Sequence, residues 1–427
     1  MREMKDSGYA FINEIPADWI ITKAKLLLKN VSEKNHPNAT VLSLYRDLGV
    51  IPKNSRDDNY NVTSEKTENY KYVRKNDLVI NKMKAWQGSL AVSDYKGIVS
   101  PAYYVCSFIT NKINKRYFHY LIRNKMYAQE FGRLSTGMRI GQWDLAIDDF
   151  LDTPILIPPL DLQKRIAAYL DSKCDAIDEV ISSAKASIED YKALKQSIIT
   201  EAVTKGLDPD VELKDSGVAW IGKIPNNITV SHIGMHAKII LGKMICSKPV
   251  NDTYTLEPYY SAIDVHFDGI ADLERKQMWF SPLDKDMYEV HQGDLLIVEG
   301  GAGAGGCCIA PITKQSTYIQ NSIMIVRSNK NMMNEFIKYC LESFVKRGYV
   351  DYVCNKATIP HFTKEKLSKT PIPIFPIKEQ KKIVEFLDKK CNTIDVLIRQ
   401  KEKTISDLEA YKKSLIYEVV TGKREVV

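Results

Sequence analysis

The chain is written twice, and a duplicated sequence must fold into two similar halves. Pro154-Ile-Leu-Ile-Pro-Pro-Leu-Asp-Leu-Gln-Lys-Arg-Ile166 returns as Pro371-Ile-Pro-Ile-Phe-Pro-Ile-Lys-Glu-Gln-Lys-Lys-Ile383. The likeness runs through Leu170-Asp-Ser-Lys-Cys174 and Leu387-Asp-Lys-Lys-Cys391, with the same interval between copies. It ends at Glu201-Ala-Val-Thr204 and Glu418-Val-Val-Thr421, with about 23 of 51 aligned positions identical. A second echo opens each half, Lys5-Asp-Ser-Gly8…Ile15-Pro16 against Lys214-Asp-Ser-Gly217…Ile224-Pro225. Solenoid units recur every 20–50 residues or so, so this is duplication at the scale of a domain. Two similar halves offer two similar surfaces to whatever the chain binds.

The shared tail of each copy reads as one long helix. In the first, apolar or small residues recur at Leu170, Cys174, Ile177, Ile181, Ala184, Ile188, Tyr191, Leu194 and Ile198. In the second they recur at Leu387, Cys391, Ile394, Ile398, Ile405, Leu408 and Leu415, with Lys401 interrupting. Steps that alternate between three and four make the seam of a coiled coil. Neither Gly nor Pro occurs from Gln163 to Lys205 or from Glu379 to Thr421. Pro159 and Pro376 stand just before the helices, where a missing N–H costs little. Gly206 and Gly422 stand just after them, where helices stop. About 40 residues at 1.5 Å each make a rod of roughly 60 Å. Such a seam must be covered. The other copy supplies a matching seam at high effective concentration, ahead of pairing between two chains.

Between the echoes lie two globular stretches that correspond more faintly. Val73-Arg-Lys-Asn-Asp77-Leu-Val-Ile80 aligns with Val290-His-Gln-Gly-Asp294-Leu-Leu-Ile297, and Gly88 with Gly305, at the interval that separates Pro154 from Pro371. Strands are expected near 78–81, 90–93, 103–108, 295–298 and 322–327. Amphipathic helices are expected at Tyr117-Phe-His-Tyr120 and Phe336-Ile-Lys-Tyr339. The fold class expected is α+β: two similar mixed α/β domains joined by two long helices in an antiparallel intramolecular coiled coil, with a pseudo-twofold axis. The division is an opening segment at 1–18, a first domain at 19–153 and a helical spacer at 154–208. The repeated opening segment at 209–226, a second domain at 227–370 and a second spacer at 371–427 follow.

Several classes of function are disfavoured. The 427-residue chain carries a net charge of +7, compatible with a nucleic-acid partner without requiring one. No secretory signal is expected in the charged start Met1-Arg-Glu-Met-Lys-Asp6, nor a membrane helix anywhere. The eight cysteines lack any CxxC spacing and are expected to be reduced thiols in the cytoplasm. His232 and His236 lack the intervening Glu of a zinc hydrolase, and no metal is expected there. Gly-x-Ser-x-Gly, Walker A and kinase signatures are absent, as is the Asp/Asn-Pro-Pro-Tyr/Phe motif of an amino-methyltransferase. The run Glu299-Gly-Gly-Ala-Gly-Ala-Gly-Gly306 follows a strand-like segment, so a dinucleotide-binding turn is a rival reading. Cys307-Cys-Ile-Ala-Pro311 is a poor helix start, however, and the first copy has no glycine run. A tight loop with close backbone approach fits better. A plain coiled-coil scaffold, the third reading, leaves two differing domains unexplained.

The polar-aromatic clusters carry the candidate chemistry. They are Lys82, Lys84, Trp86 and Gln87; the loop Arg133 to Trp143 with Arg133, Thr136, Arg139 and Gln142; and its counterpart loop in the second copy, Tyr352 to Phe362, with Lys356, Thr358 and His361. Arg and Lys suit guanine edges, Gln and Asn suit adenine, and Thr is less selective. Each is a candidate DNA contact, to phosphate more readily than to a base edge.

The repeated Pro-rich step with Pro158-Pro159-Leu160-Asp-Leu-Gln163, echoed as Phe375-Pro376-Ile377-Lys-Glu-Gln380, and its long helix resemble the specificity subunit of type I restriction–modification systems. The phrase Asp-Ser-Gly…Ile-Pro…Trp19 resembles that family too, with Ile228 replacing the Trp in the second copy. The likeness spans essentially the whole chain. It implies two target recognition domains, each reading half of a split DNA site, and helices that space them and dock two adenine-N6 methyltransferase subunits. Restriction subunits would join that core. S-adenosylmethionine, ATP and Mg would belong to those partners, leaving this chain non-catalytic and without a cofactor.

Overall fold

The computed structural model describes residues 3–55, 67–137, 143–313, 315–354 and 360–426. It divides into two compact units, 1–185 with 402–427 and 186–401. Each unit therefore takes part of both long helices, which span Leu160–Lys205 and Ile377–Val420.

The first unit is built on a four-stranded antiparallel sheet in the order Leu28–Val31, Tyr103–Phe108, Leu78–Asn81, Leu90–Val92. Leu78, Ile80 and Cys106 on one face pack under helices Lys115–Ile122 and Lys125–Leu134. Val79, Ala91 and Val105, on the opposite pleat, join a second cluster with Leu42, Leu44 and Val50 of the hairpin Leu42–Tyr45/Gly49–Pro52. Asn114 starts the first of these helices, its side-chain oxygen accepting from the N–H groups of Arg116 and Tyr117.

The second unit repeats the plan. Its sheet runs Ala237–Leu241, Ile323–Ser328, Leu295–Val298, Cys307–Ile309, under helices Asn334–Lys346 and Tyr349–Val353. Here the added layer is a three-stranded sheet of Lys276–Phe280, Thr255–Tyr260 and Tyr318–Ile319. The strands and helices expected from the sequence are present in both units.

One pairing was invisible in the sequence. The Pro-rich steps are strands, Pro154–Ile157 and Pro371–Ile374, and each closes its unit against a strand from the opening of its own half. Pro154–Ile157 pairs antiparallel with Ile20–Lys23, and Pro371–Ile374 with Thr229–His232. Trp19 and its counterpart Ile228 are both buried just before these strands, so the departure at Ile228 keeps the packing role with a smaller side chain.

Gln163 and Gln380, fully buried at the starts of the long helices, tie helix to domain by the same three bonds. Gln163 Oε1 accepts from Asn114 N–H at 2.7 Å, while its amide donates to the carbonyls of Lys112 and Pro158. Gln380 accepts from Met333 N–H at 2.9 Å and donates to Asn331 and Phe375. Asp171 and Asp388 add a matching contact, each accepting a tyrosine hydroxyl, from Tyr120 at 2.7 Å and Tyr339 at 2.6 Å.

Within each unit the two helix segments cover one another's apolar seam. In the first, Ile177 and Ile181 share a core with Ile405, Leu408 and Leu415, and Lys412 donates to Asp178 at 2.6 Å. Tyr117 meanwhile reaches the carbonyls of both Leu156 and Val420. In the second, Ile199 and Val203 share a core with Ile383, Leu387 and Cys391, and Lys195 donates to Asp395 at 2.7 Å. There the approach of Gly206 to Phe375 and Glu379 shows the contacts advancing along one segment as they retreat along the other.

Candidate nucleic-acid interface

In the first unit the strand Leu78–Asn81 runs out into the polar cluster. Asn81 Oδ1 accepts from Met83 N–H and Asn81 O from Lys84 N–H, which turns the chain into the short 3₁₀ helix Ala85–Gln87. Ala85 goes into the core, so Lys84 and Gln87 are left exposed and Trp86 half-buried. Trp86 donates its indole N–H to Met83 O at 3.1 Å and meets Trp143 edge-on at 5.1 Å between ring centres. Gly88 ends the turn at φ +82°.

Lys82 is held rather than free. Its ammonium donates to Asp144 at 2.7 Å, and that bond raises the lysine's pKa above its ordinary value. Asp144 pairs with Thr136 through two backbone hydrogen bonds, so Thr136 and Lys82 converge on one residue. Arg133 does not stand in a loop, as its sequence neighbours suggested; it lies in the last turn of helix Lys125–Leu134. It forks onto the buried carboxylate of Glu130 at 2.6 and 2.9 Å, which raises its pKa, yet its side chain stays 68% exposed. Arg139 and Gln142 lie outside the described residues, as do Lys356 and Thr358 in the second unit.

In the second unit the strand Leu295–Val298 leads into Glu299 and the glycine run. That run closes a hairpin, pairing Ile297 with Cys307 across the turn. A strand–turn–strand has no helix N-terminus for a pyrophosphate, so the dinucleotide reading is set aside. Gly305, at φ +83°, lies so close to the neighbouring helices that a Cβ there would sit 2.7 Å from Val350 and 2.9 Å from Val345. His361 is exposed and bonds Glu299 through Nδ1 at 3.1 Å. Its carbonyl accepts from Lys366 at 2.7 Å. The stretch read as a loop from Tyr352 begins inside the helix Tyr349–Val353.

The structure thus gathers Lys82, Lys84, Trp86, Gln87 and Thr136 around the exit of strand Leu78–Asn81, along with Asp144, which the sequence reading missed. It brings Glu299, also missed, to His361. Each partner is hidden in a single sequence by its distance along the chain, the same in both pairs. Only the duplication could have signalled them, since the step from Lys82 to Glu299 equals the step from Asp144 to His361. All eight cysteines are free thiols, seven of them buried. Among the described residues no helix is long and apolar enough to cross a membrane.

The model of the type I restriction modification DNA specificity domain matches the chain twice, at residues 23–190 and 238–406. The chain belongs to that family, as a specificity subunit concerned with DNA sequence recognition. A Methanocaldococcus jannaschii protein provisionally named as the type I restriction enzyme MjaX specificity subunit is 27% identical over 325 residues, covering 74% of this chain and 69% of that one. The MjaVIII specificity subunit of the same organism is 27% identical over 366 residues, covering 83% and 80%. Two solved structures share the fold. A chain from a type I restriction–modification assembly superposes with a TM-score of 0.71 at 18% identity, covering 96% of this chain and 99% of its own. The HsdS subunit of Thermoanaerobacter tengcongensis gives 0.55 at 17% identity, covering 96% and 98%.

Proposed function

We propose that this chain selects an asymmetric, bipartite DNA site for a type I restriction–modification complex and catalyses nothing itself. Residues 19–153 and 227–370 are the two target recognition domains, and each reads one short block. The spacers at 154–208 and 371–427 form an antiparallel intramolecular coiled coil that sets the unread distance between the blocks. Residues 1–18 and 209–226 open the two halves.

One observation carries this reading. The units share a sheet order and a helix anchorage, while the polar residues at equivalent sheet exits differ. Lys82 corresponds to Glu299, and the 3₁₀ turn with Trp86 corresponds to the glycine hairpin. A common scaffold with two different reading surfaces calls for two different blocks, not a palindrome.

The ion pairs support the antiparallel pairing of the two spacers within each unit. Lys195 and Lys412 are equivalent in the duplication, and so are Asp178 and Asp395. The bonds Lys195–Asp395 and Lys412–Asp178 are therefore one contact made twice with the partners exchanged.

Two methyltransferase subunits dock on this frame and methylate adenine N6; restriction subunits add cleavage. S-adenosylmethionine, ATP and Mg are held by those partners, and the complex works in the cytoplasm as a defence against incoming DNA. Footprinting of the assembled complex on host DNA tests the proposal. Two protected blocks of unlike sequence, separated by unprotected base edges within about 12–17 pairs, are expected. A single continuous block, or a palindrome, would overturn it.

A further inference from the structure

The pairs Lys82–Asp144 and Glu299–His361 occupy equivalent positions, since both members shift by the interval of the duplication. Around them the backbone repeats as well. Leu145 N–H donates to Lys82 O at 3.1 Å, and Phe362 N–H donates to Glu299 O at 2.6 Å. Leu145 and Phe362 are both fully buried. In each unit, then, the exit of a central strand is fastened to a segment far along the chain by a side-chain pair, a backbone bond and an apolar anchor. The carboxylate, however, changes sides. In the first unit the cation is on the strand exit and the anion on the returning segment; in the second the carboxylate is on the exit and the imidazole on the return.

We propose that these are two copies of one clasp, and that Lys82, Asp144, Glu299 and His361 are positioning residues that fix the pose of each unit's reading surface. The clasp works either way round, because pairing, rather than which side carries the carboxylate, is what the fold requires. It rests on the reading that these surfaces face DNA. Two features separate it from a plain stabilising pair. The members are partly exposed, with Lys82 and Asp144 at 32% and 49% and Glu299 and His361 at 17% and 59%. The first pair also abuts the cluster of Lys84, Trp86 and Gln87, since Trp143 beside Asp144 touches Trp86. Geometry at this junction therefore reaches the side chains offered to base edges.

Charge exchange in the full chain, assembled with its methyltransferase partner, tests the clasp. K82E sets a carboxylate against Asp144, and K82E/D144H writes the second unit's pair into the first. H361D sets a carboxylate against Glu299, and E299K/H361D writes in the first unit's pair. Methylation kcat/KM is measured on the cognate duplex and on duplexes altered in one block or the other.

Each single variant should lose about tenfold or more on the cognate duplex, as like charges in contact are strongly unfavourable. It should also lose discrimination in one block only, a different block for each unit. Each double variant should recover to within about threefold of the parent by the same pairing argument. Doubles no better than their singles, or singles with parental rates and discrimination, would overturn the proposal. So would a loss spread equally over both blocks, which is what general destabilisation produces. If a single variant fails to fold and its double folds without regaining discrimination, the clasp is structural only and the proposal fails. A parent complex with no sequence preference would instead sink the functional reading beneath it.

Discussion

Replacing Gln163 by leucine should destabilise the first unit by about 2–4 kcal/mol, because leucine fills much of the space but leaves Asn114 N–H and two carbonyls without their partner. The side chain is completely buried and makes three hydrogen bonds at the junction of helix and domain. Each group that water cannot reach costs about 1–3 kcal/mol when left unpaired. The effect should appear as a lowered first melting transition, with the second unit unchanged. Gln380→Leu should do the same to the second unit, through Met333, Asn331 and Phe375. The residues lie in different units, so the two losses should add. A change below about 1 kcal/mol in either would show that these bonds contribute little net stability.

Removing four residues from the middle of both long helices should change which sites the complex uses. Four residues at 1.5 Å shorten each helix by about 6 Å, close to two base pairs. Methylation should leave the original sites and move to sites with the same two blocks and a spacer shorter by about one or two pairs. On a set of duplexes that differ only in spacer length, this reads as an exchange of preferred substrate rather than a general loss. Altered blocks with the old spacer would contradict a helical ruler.

The long helices were legible because their signals are local and repeated: apolar spacing, flanking Pro and Gly, and a second copy as a check. The central strands were legible for the same reason, as apolar runs such as Leu295-Leu-Ile-Val298 bounded by turns. What escaped was contact between distant segments. The pairing of Ile20–Lys23 with Pro154–Ile157 joins the two ends of the first domain's sequence, and neither strand names its partner. Lys82 read as a candidate DNA contact with no sign of its partner, because Asp144 lies far along the chain, beyond two helices and several strands. Arg133 read as a loop residue because the helix Lys125–Leu134 contains Gly132, a weak helix former. Gln163 and Gln380 were recognised as part of a motif, but their work as buried connectors needed the surrounding carbonyls to be seen. The duplication held more than was drawn from it: identical Lys and Asp at Lys195/Lys412 and Asp178/Asp395 mark the pairs that bridge the helices.

The proposed role of this chain is to direct DNA modification to one split, asymmetric sequence. Single-molecule methylation mapping of host DNA, with the reading frame intact and with it deleted, tests that role most directly. N6-methyladenine should disappear from a single bipartite motif with two unlike blocks and be kept everywhere else. An unchanged methylation pattern in a host that makes the chain, or the loss of a continuous or palindromic motif, would contradict it.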